Sequence, residues 1–199
     1  MARALLILVL AVAAARADEG RPATEVQVET HDVEGTSLRE ARVAVHATAS
    51  PAAILAVLWR HAEHARILPR IRHVEILHDG GDERLIYQQI AVPIGKDRDV
   101  VLRVRRTTDP ATGIIDVRSA TVRGEGPPES SGFVRVHESA GHWHLVPAEG
   151  GGTDVTYTIR TDAGEGLIRW ITGRIQRDAV ADLVRAVLDH ARADENAAR

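Results

Sequence analysis

Residues 167–191, LIRWITGRIQRDAVADLVRAVLDHA, decide how the rest of the chain is read. Leu167, Ile168, Ile171, Ile175, Ala179, Leu183, Val187 and Ala191 recur at intervals of three and four, and Val180, Val184 and Leu188 widen the stripe. Arg169, Arg174, Arg177, Asp178, Asp182, Arg185 and Asp189 fall on the other side. This period places one flank of a helix against a core and leaves the other in water. The stretch therefore predicts one long helix with more apolar surface than a simple cap requires. Upstream, from about Glu83 to Arg160, apolar and polar residues alternate between turn signals, which predicts a run of strands. Such a helix laid across one curved antiparallel sheet can enclose a volume suited to an apolar molecule.

Strands are expected over 24–33, 38–47, 71–78, 83–92, 98–108, 114–123, 133–138, 141–147 and 153–161. The breaks are Asp79-Gly80-Gly81-Asp82, Pro93-Ile94-Gly95, Asp109 to Gly113, Gly124 to Gly132 and Gly150-Gly151-Gly152. Their short, regular spacing implies an antiparallel, hairpin-connected sheet. After the second strand Ser50-Pro51 reads as a helix start, with serine as N-cap and proline at the first helical position. Ile54, Leu55, Leu58 and Trp59 follow at helical spacing, and a second short helix is expected over 61–66, ended by Pro69. Two strands, short helices, about seven strands and a long helix make an α+β fold.

Residues 1–17 are expected to be a secretion leader. Arg3 gives a positive start, Ala4 to Ala15 form an apolar run, and Ala15-Arg16-Ala17 fits a small-x-small cleavage site. A membrane span needs about 20 apolar residues, so the run is short for one, and a retained signal anchor is the alternative reading. Cleavage after Ala17 would leave residues 18–199 as a single domain, exported to the periplasm or secreted. The chain has no cysteine, which excludes disulfides and thiolate chemistry. Its net charge is −3 and Lys96 is its only lysine, so nucleic acid is not an expected partner. Aromatic residues are scarce (Trp59, Tyr87, Phe133, Trp143, Tyr157 and Trp170), so aliphatic surface must dominate any pocket.

Alternation assigns faces. Arg98, Val100, Leu102 and Val104 share one face of their strand, while Arg103 and Arg105 share the other and must be solvated. The apolar face points inward and takes Arg98 with it. On the preceding strand Ile86, Gln88, Ile90 and Val92 share a face, so Gln88 and Arg98 are expected to project toward one cavity. A buried guanidinium without an anion costs several kcal/mol. Three arrangements satisfy it: a ligand carboxylate or phosphate, a pairing with Asp97 or Asp99, or access to water at the strand start. Arg135 is expected to leave the core and bond to a loop, and Tyr157 to be a core aromatic with its hydroxyl bonded.

The ten histidines raise the question of a metal. His142 and His144 share a strand face and His61 and His64 lie one helical turn apart. Zinc sites need three or four ligands, and no third is signalled near either pair. With Trp143 and Leu145 taken as inward, the histidines are expected to face solvent, and neither metal nor cofactor is expected. No Gly-x-Ser-x-Gly, phosphate-binding glycine loop or paired carboxylate appears.

Several short stretches occur in a suggestive order: Ala49-Ser50-Pro51, Pro93-Ile94-Gly95 with Asp97-Arg98-Asp99-Val100-Val101, and Pro128-Glu129 with Gly132-Phe133-Val134-Arg135. Trp143-His144-Leu145-Val146-Pro147, Thr153-Asp154-Val155-Thr156-Tyr157 and the glycine-rich approach to the last helix complete the series. In that order the chain resembles the START (StAR-related lipid-transfer) domain of the helix-grip superfamily. The resemblance implies a curved sheet gripping the C-terminal helix around a tunnel for a lipid or other apolar molecule. Some lipid-transfer members carry an acidic residue where Gln88 stands here, and the family often has a proline where Arg169 stands.

The combined expectation is a non-catalytic protein, monomeric, binding and by extension transporting a lipid or other hydrophobic small molecule, with transient membrane contact. Its cavity wall is expected from Ile86, Gln88, Ile90, Arg98, Val100, Leu102, Trp143, Leu145, Val155, Tyr157, Trp170, Ile171 and Ile175. Gly124 to Gly132 and Asp162 to Gly166 are the expected moving parts. Two alternatives stand beside this: a polyketide cyclase or aromatase-like enzyme using the same cavity, and an interaction domain with a filled core.

Overall fold

The computed structural model describes residues 26–34, 36, 38–92, 95–162 and 174–198. The leader, Trp170, Ile171 and residues 163–166 of the expected hinge lie outside those residues, as does the side chain of Ile175. Strands β1 (Val28–Asp32) and β2 (Arg39–Ala47) precede α1 (Pro51–Trp59). A 3₁₀ turn over His61–Glu63 runs into α2 (His64–Ile67). Strands β3 (Ile71–Asp79), β4 (Glu83–Ile90), β5 (Arg98–Thr108), β6 (Ile115–Thr121), β7 (Val134–Arg135), β8 (Glu138–Pro147) and β9 (Thr153–Asp162) follow, then α3 (Arg174–Ala197).

The strands form one curved sheet in the order β1-β2-β9-β8-β6-β5-β4-β3, antiparallel throughout that path. Two boundaries differ from expectation. In place of strands over 133–138 and 141–147, β7 is a two-residue strand lying parallel to β5, and β8 begins at Glu138. Long-range pairing explains this, because β8 extends along β9 from Glu138 onward. Helix α3 continues past Ala191 to Ala197. Arg60 ion-pairs with Asp194, and Glu195 accepts from the Ser50 backbone N–H at 3.4 Å, so contacts with the α1 region hold the extra turns.

Ser50 caps α1 as its sequence requires: its hydroxyl accepts from Ala53 N–H at 3.3 Å, with Pro51 next. Helix α1 packs against α3 and onto β6 and β8, while α3 lies against β1 and β2. Ile54 and Val57 from α1, Val184, Val187 and Ala191 from α3, and Ala41, Val43, Leu145 and Val155 from the sheet form a fully buried cluster. Each buried Val, Leu or Ile contributes roughly 1.5–3 kcal/mol there. This part of the interior is filled by protein.

A smaller buried cluster sits on the opposite, outer face of the sheet. Asp99 is 1% exposed, and its carboxylate takes Arg135 at 2.9 and 2.8 Å and the Tyr87 hydroxyl at 3.2 Å. Arg135 also donates to Pro127 O at 3.0 Å, which ties the 124–133 segment over Tyr87, Asp99 and Val101. Gly126 belongs there because a Cβ would run into the Val101 side chain. Arg135 thus leaves the inner core and bonds a loop, while Arg103 and Arg105 farther along β5 are exposed.

Candidate functional site

Beside the filled cluster the inner face of the sheet borders a hollow of about 350 Å³. Ligand pockets run from about 300 to 1,000 Å³, so this one is at the small end of that range. Strand β4 contributes Ile86, Gln88 and Ile90, and β5 contributes Arg98, Val100, Leu102 and Val104. Trp143 on β8 and Tyr157 on β9 are register partners, and their rings stack with centroids 4.3 Å apart. Ala179, Val180 and Leu183 on α3 face the same space.

The chain's size pattern leaves room here. Gly141 pairs with Ser119 and Ile159 across the sheet. A Cβ at Gly141 would meet Ser119 Oγ at 2.7 Å and approach Tyr157 Oη at 3.8 Å, so glycine keeps this part of the wall recessed.

Of the thirteen residues expected on the wall, Ile86, Gln88, Ile90, Arg98, Val100, Leu102, Trp143 and Tyr157 border the hollow. Leu145 and Val155 do not. Both are buried in the filled cluster beneath the helices, because α1 occupies that end of the concave face. Trp170 and Ile171 fall outside the described residues.

Polar groups on the wall set its chemistry. Arg98 is 7% exposed, and one of its terminal nitrogens donates to Lys96 O while its Nε finds no partner. The acidic neighbours are engaged elsewhere, Asp99 with Arg135 and Asp97 with the Val92 N–H at 3.1 Å. Among the described residues no carboxylate forms an ion pair with Arg98. Burial lowers its pKa, and Asp97 acts the other way. The Tyr157 hydroxyl has no partner among the described residues, and burial pushes its pKa up.

His61 and His64 are polar wall residues that the expected set lacks. They are 3% and 5% exposed, not solvent-facing. The signal was present: Leu58, His61, His64 and Leu68 continue the apolar stripe of α1 at helical spacing. His64 Nε2 lies 3.1 Å from Val57 O and donates to it, which leaves Nδ1 as a buried acceptor with no partner. Burial, chiefly, holds His64 neutral and lowers its pKa. His61 is pushed down to about 3 by burial first, then by His64 and Arg84. At the rim Arg70, next to Pro69, adopts φ 67°, the only non-glycine in the left-handed region among the described residues. Its carbonyl accepts from Ala91 N–H at 2.7 Å, which fixes that conformation.

A concave antiparallel sheet, a long C-terminal helix and a mostly apolar hollow between them define the helix-grip class. Within it, the chain belongs to the START domain family, which it matches over residues 21–194. It is similar to a STAR-related lipid transfer protein from Xanthomonas axonopodis of known crystal structure. The two share 26% identity over 88% of this chain and 97% of that one, with a TM-score of 0.75. An uncharacterized protein of Pseudomonas aeruginosa is 25% identical over 81% of this chain and 80% of its own length. The Zhui aromatase/cyclase from Streptomyces sp. R1128 shares the fold, with 23% identity, a TM-score of 0.53 and coverage of 78% and 94%.

Proposed function

We propose that this protein binds a lipid or similar apolar molecule non-covalently in the hollow between sheet and helix, with an anionic end docked on Arg98. The observation that carries this reading is a buried guanidinium facing a mostly apolar space without a carboxylate of its own. Such a cation is costly unless something neutralises it. A ligand carboxylate or phosphate does so and gains charge-assisted hydrogen bonds. Gln88, in place of an acid, leaves that role to the ligand. His64 Nδ1 and the Tyr157 hydroxyl add an acceptor and a donor for a second polar group. Burial of the apolar body supplies most of the affinity, at about 25 cal/mol per Å².

The test compares decanoate with decanol, which share a chain and differ in charge. Delipidated protein is expected to prefer the acid by roughly 10–100-fold, the value of a hydrogen bond to a charged group. Arg98→Met is expected to bind both equally. A wild type without preference, or a variant that keeps it, sinks the docking. Native mass spectrometry of freshly isolated protein is expected to show a co-purifying amphiphile.

The exported setting belongs to the same proposal: residues 1–17 act as a leader cleaved after Ala17, and residues 18–199 work as one monomeric domain that visits membranes transiently. Edman sequencing of protein recovered outside the cytoplasm is expected to begin at Asp18. The fold shared with an aromatase/cyclase favours one second reading, an enzyme using the Tyr157 phenol in the same hollow. Turnover of an aromatic polyketide that disappears in Tyr157→Phe would replace the carrier with that enzyme.

A further inference from the structure

On the outer face of the sheet, away from the hollow, Asp116, His142 and His144 converge. Asp116 lies on β6 and the two histidines on β8, its hydrogen-bonded neighbour, with Asp116 directly opposite His144 and Arg118 opposite His142. Val117 and Trp143, between them in sequence, point inward, so all three point out. Asp116 Oδ1 is 2.5 Å from His142 Nε2 and 3.0 Å from His144 Nδ1. The three ligand atoms lie within 4.8 Å of one another. The imidazole rings are tilted by 56° with centroids 5.9 Å apart, and each brings one nitrogen to the same Asp116 oxygen.

We propose that Asp116, His142 and His144 form a three-ligand site for a divalent transition-metal ion of the zinc class. The two facing nitrogens now donate to one carboxylate oxygen. An ion at about 2.0–2.2 Å from each atom would take the place of those two protons. Imidazole nitrogen with carboxylate oxygen, and no thiolate, suits zinc, copper or nickel better than magnesium or calcium. Both strands are paired on each side within the sheet, so the backbone that presents the ligands is fixed before any ion arrives. The side chains are 24%, 33% and 40% exposed, which leaves coordination positions open to water or to a donor from outside. The nearest competing charge is Arg118, 3.7 Å from Asp116 Oδ1, and at 67% exposed it is free to turn into solvent. The spacing of the chain hid the site, because the third ligand lies 26 residues before His142 on a strand that only pairing brings alongside.

The test uses untagged full-length protein and zinc chloride alone. Equilibrium dialysis is expected to give one zinc per chain. Asp116→Asn, His142→Gln and His144→Gln are each expected to weaken binding at least tenfold, since loss of even an outer supporting group costs roughly 10–100-fold. His46→Gln, which alters a separate exposed pair with Asp154, is expected to leave it unchanged. Copper(II) on the unaltered protein is expected to show two nitrogen donors by electron paramagnetic resonance. Less than one bound zinc, wild-type affinity in any of the three variants, a matching loss in His46→Gln, or fewer than two nitrogens on copper would each overturn the assignment.

Discussion

Acidification from pH 7 to pH 5 should destabilise the fold through His61, and the size of that loss follows from its surroundings. The ring is buried against Trp59, at 5.3 Å between centroids, and against His64, at 5.0 Å. Arg84 reaches it from β4, with Nη1 3.3 Å from His61 Nδ1, and Arg84 is itself held by Trp59 O and by Asp79 on β3 at 2.9 Å. Nδ1 therefore accepts from a guanidinium and cannot be protonated without facing it. The nearby Asp79 carboxylate works the other way but ranks below burial, His64 and Arg84. The folded pKa is about 3 against an ordinary 6.5, so the unfolded chain binds the extra proton. Stability is fully present above pH 6.5 and drains away as pH falls toward 3. Linkage gives a loss of roughly 2 kcal/mol between pH 7 and pH 5, or a fall in Tm of about 4–8 °C for a chain of this size. His64 shifts in the same direction and adds to it. Urea denaturation at both pH values, run on wild type and His61→Phe, isolates the contribution, because phenylalanine keeps the ring contacts and removes the proton site. The pH-dependent loss should be about 2 kcal/mol smaller in the variant. Equal losses in the two proteins would refute the reasoning.

Arg98→Met should raise the Tm of delipidated protein by about 2–4 °C, corresponding to about 1 kcal/mol, because an uncompensated buried charge is removed; a lower Tm would mean that the guanidinium has a structural partner. Asp99→Ala should cost roughly 3–5 kcal/mol in denaturant unfolding, since it strands the buried Arg135, and Arg135→Met in the same chain should recover part of it. Gly141→Ala should cost about 1 kcal/mol by crowding Ser119, and adding Ser119→Ala should restore the thermal midpoint.

Legibility differed by element. Period-two alternation found the strands from β2 to β6, and β9, to within a few residues, because side-chain direction along a strand is a local property. The Ser50-Pro51 cap was equally legible, since its hydrogen bond spans three residues. Arg98, Gln88 and their apolar neighbours were placed toward one interior by the same alternation. Leu145 and Val155 take the inner face that alternation gives them, but they lie in the filled cluster and not on the hollow. Alternation says which side of the sheet a residue takes, and cannot say whether a helix or a hollow lies over it. His61 and His64 are polar residues on an apolar stripe, and only the packing of the α1–α2 segment shows that they are buried.

What the amino-acid order determined alone was periodicity: nine expected strands, short helices after the second, one long helix at the end, and the inner and outer rows of each strand. These depend on neighbours within a few residues. Tertiary structure decided everything that joins distant rows. It paired Asp99 with Arg135, 36 residues apart, on the face of β5 opposite Arg98. It set β6 beside β8, past β7, and so brought Asp116 to His142 and His144. It also packed α1 and α3 over one part of the concave sheet and left a hollow beside them. Burial and ion pairing act through space, and the distances they depend on exist only once the sheet has closed its register.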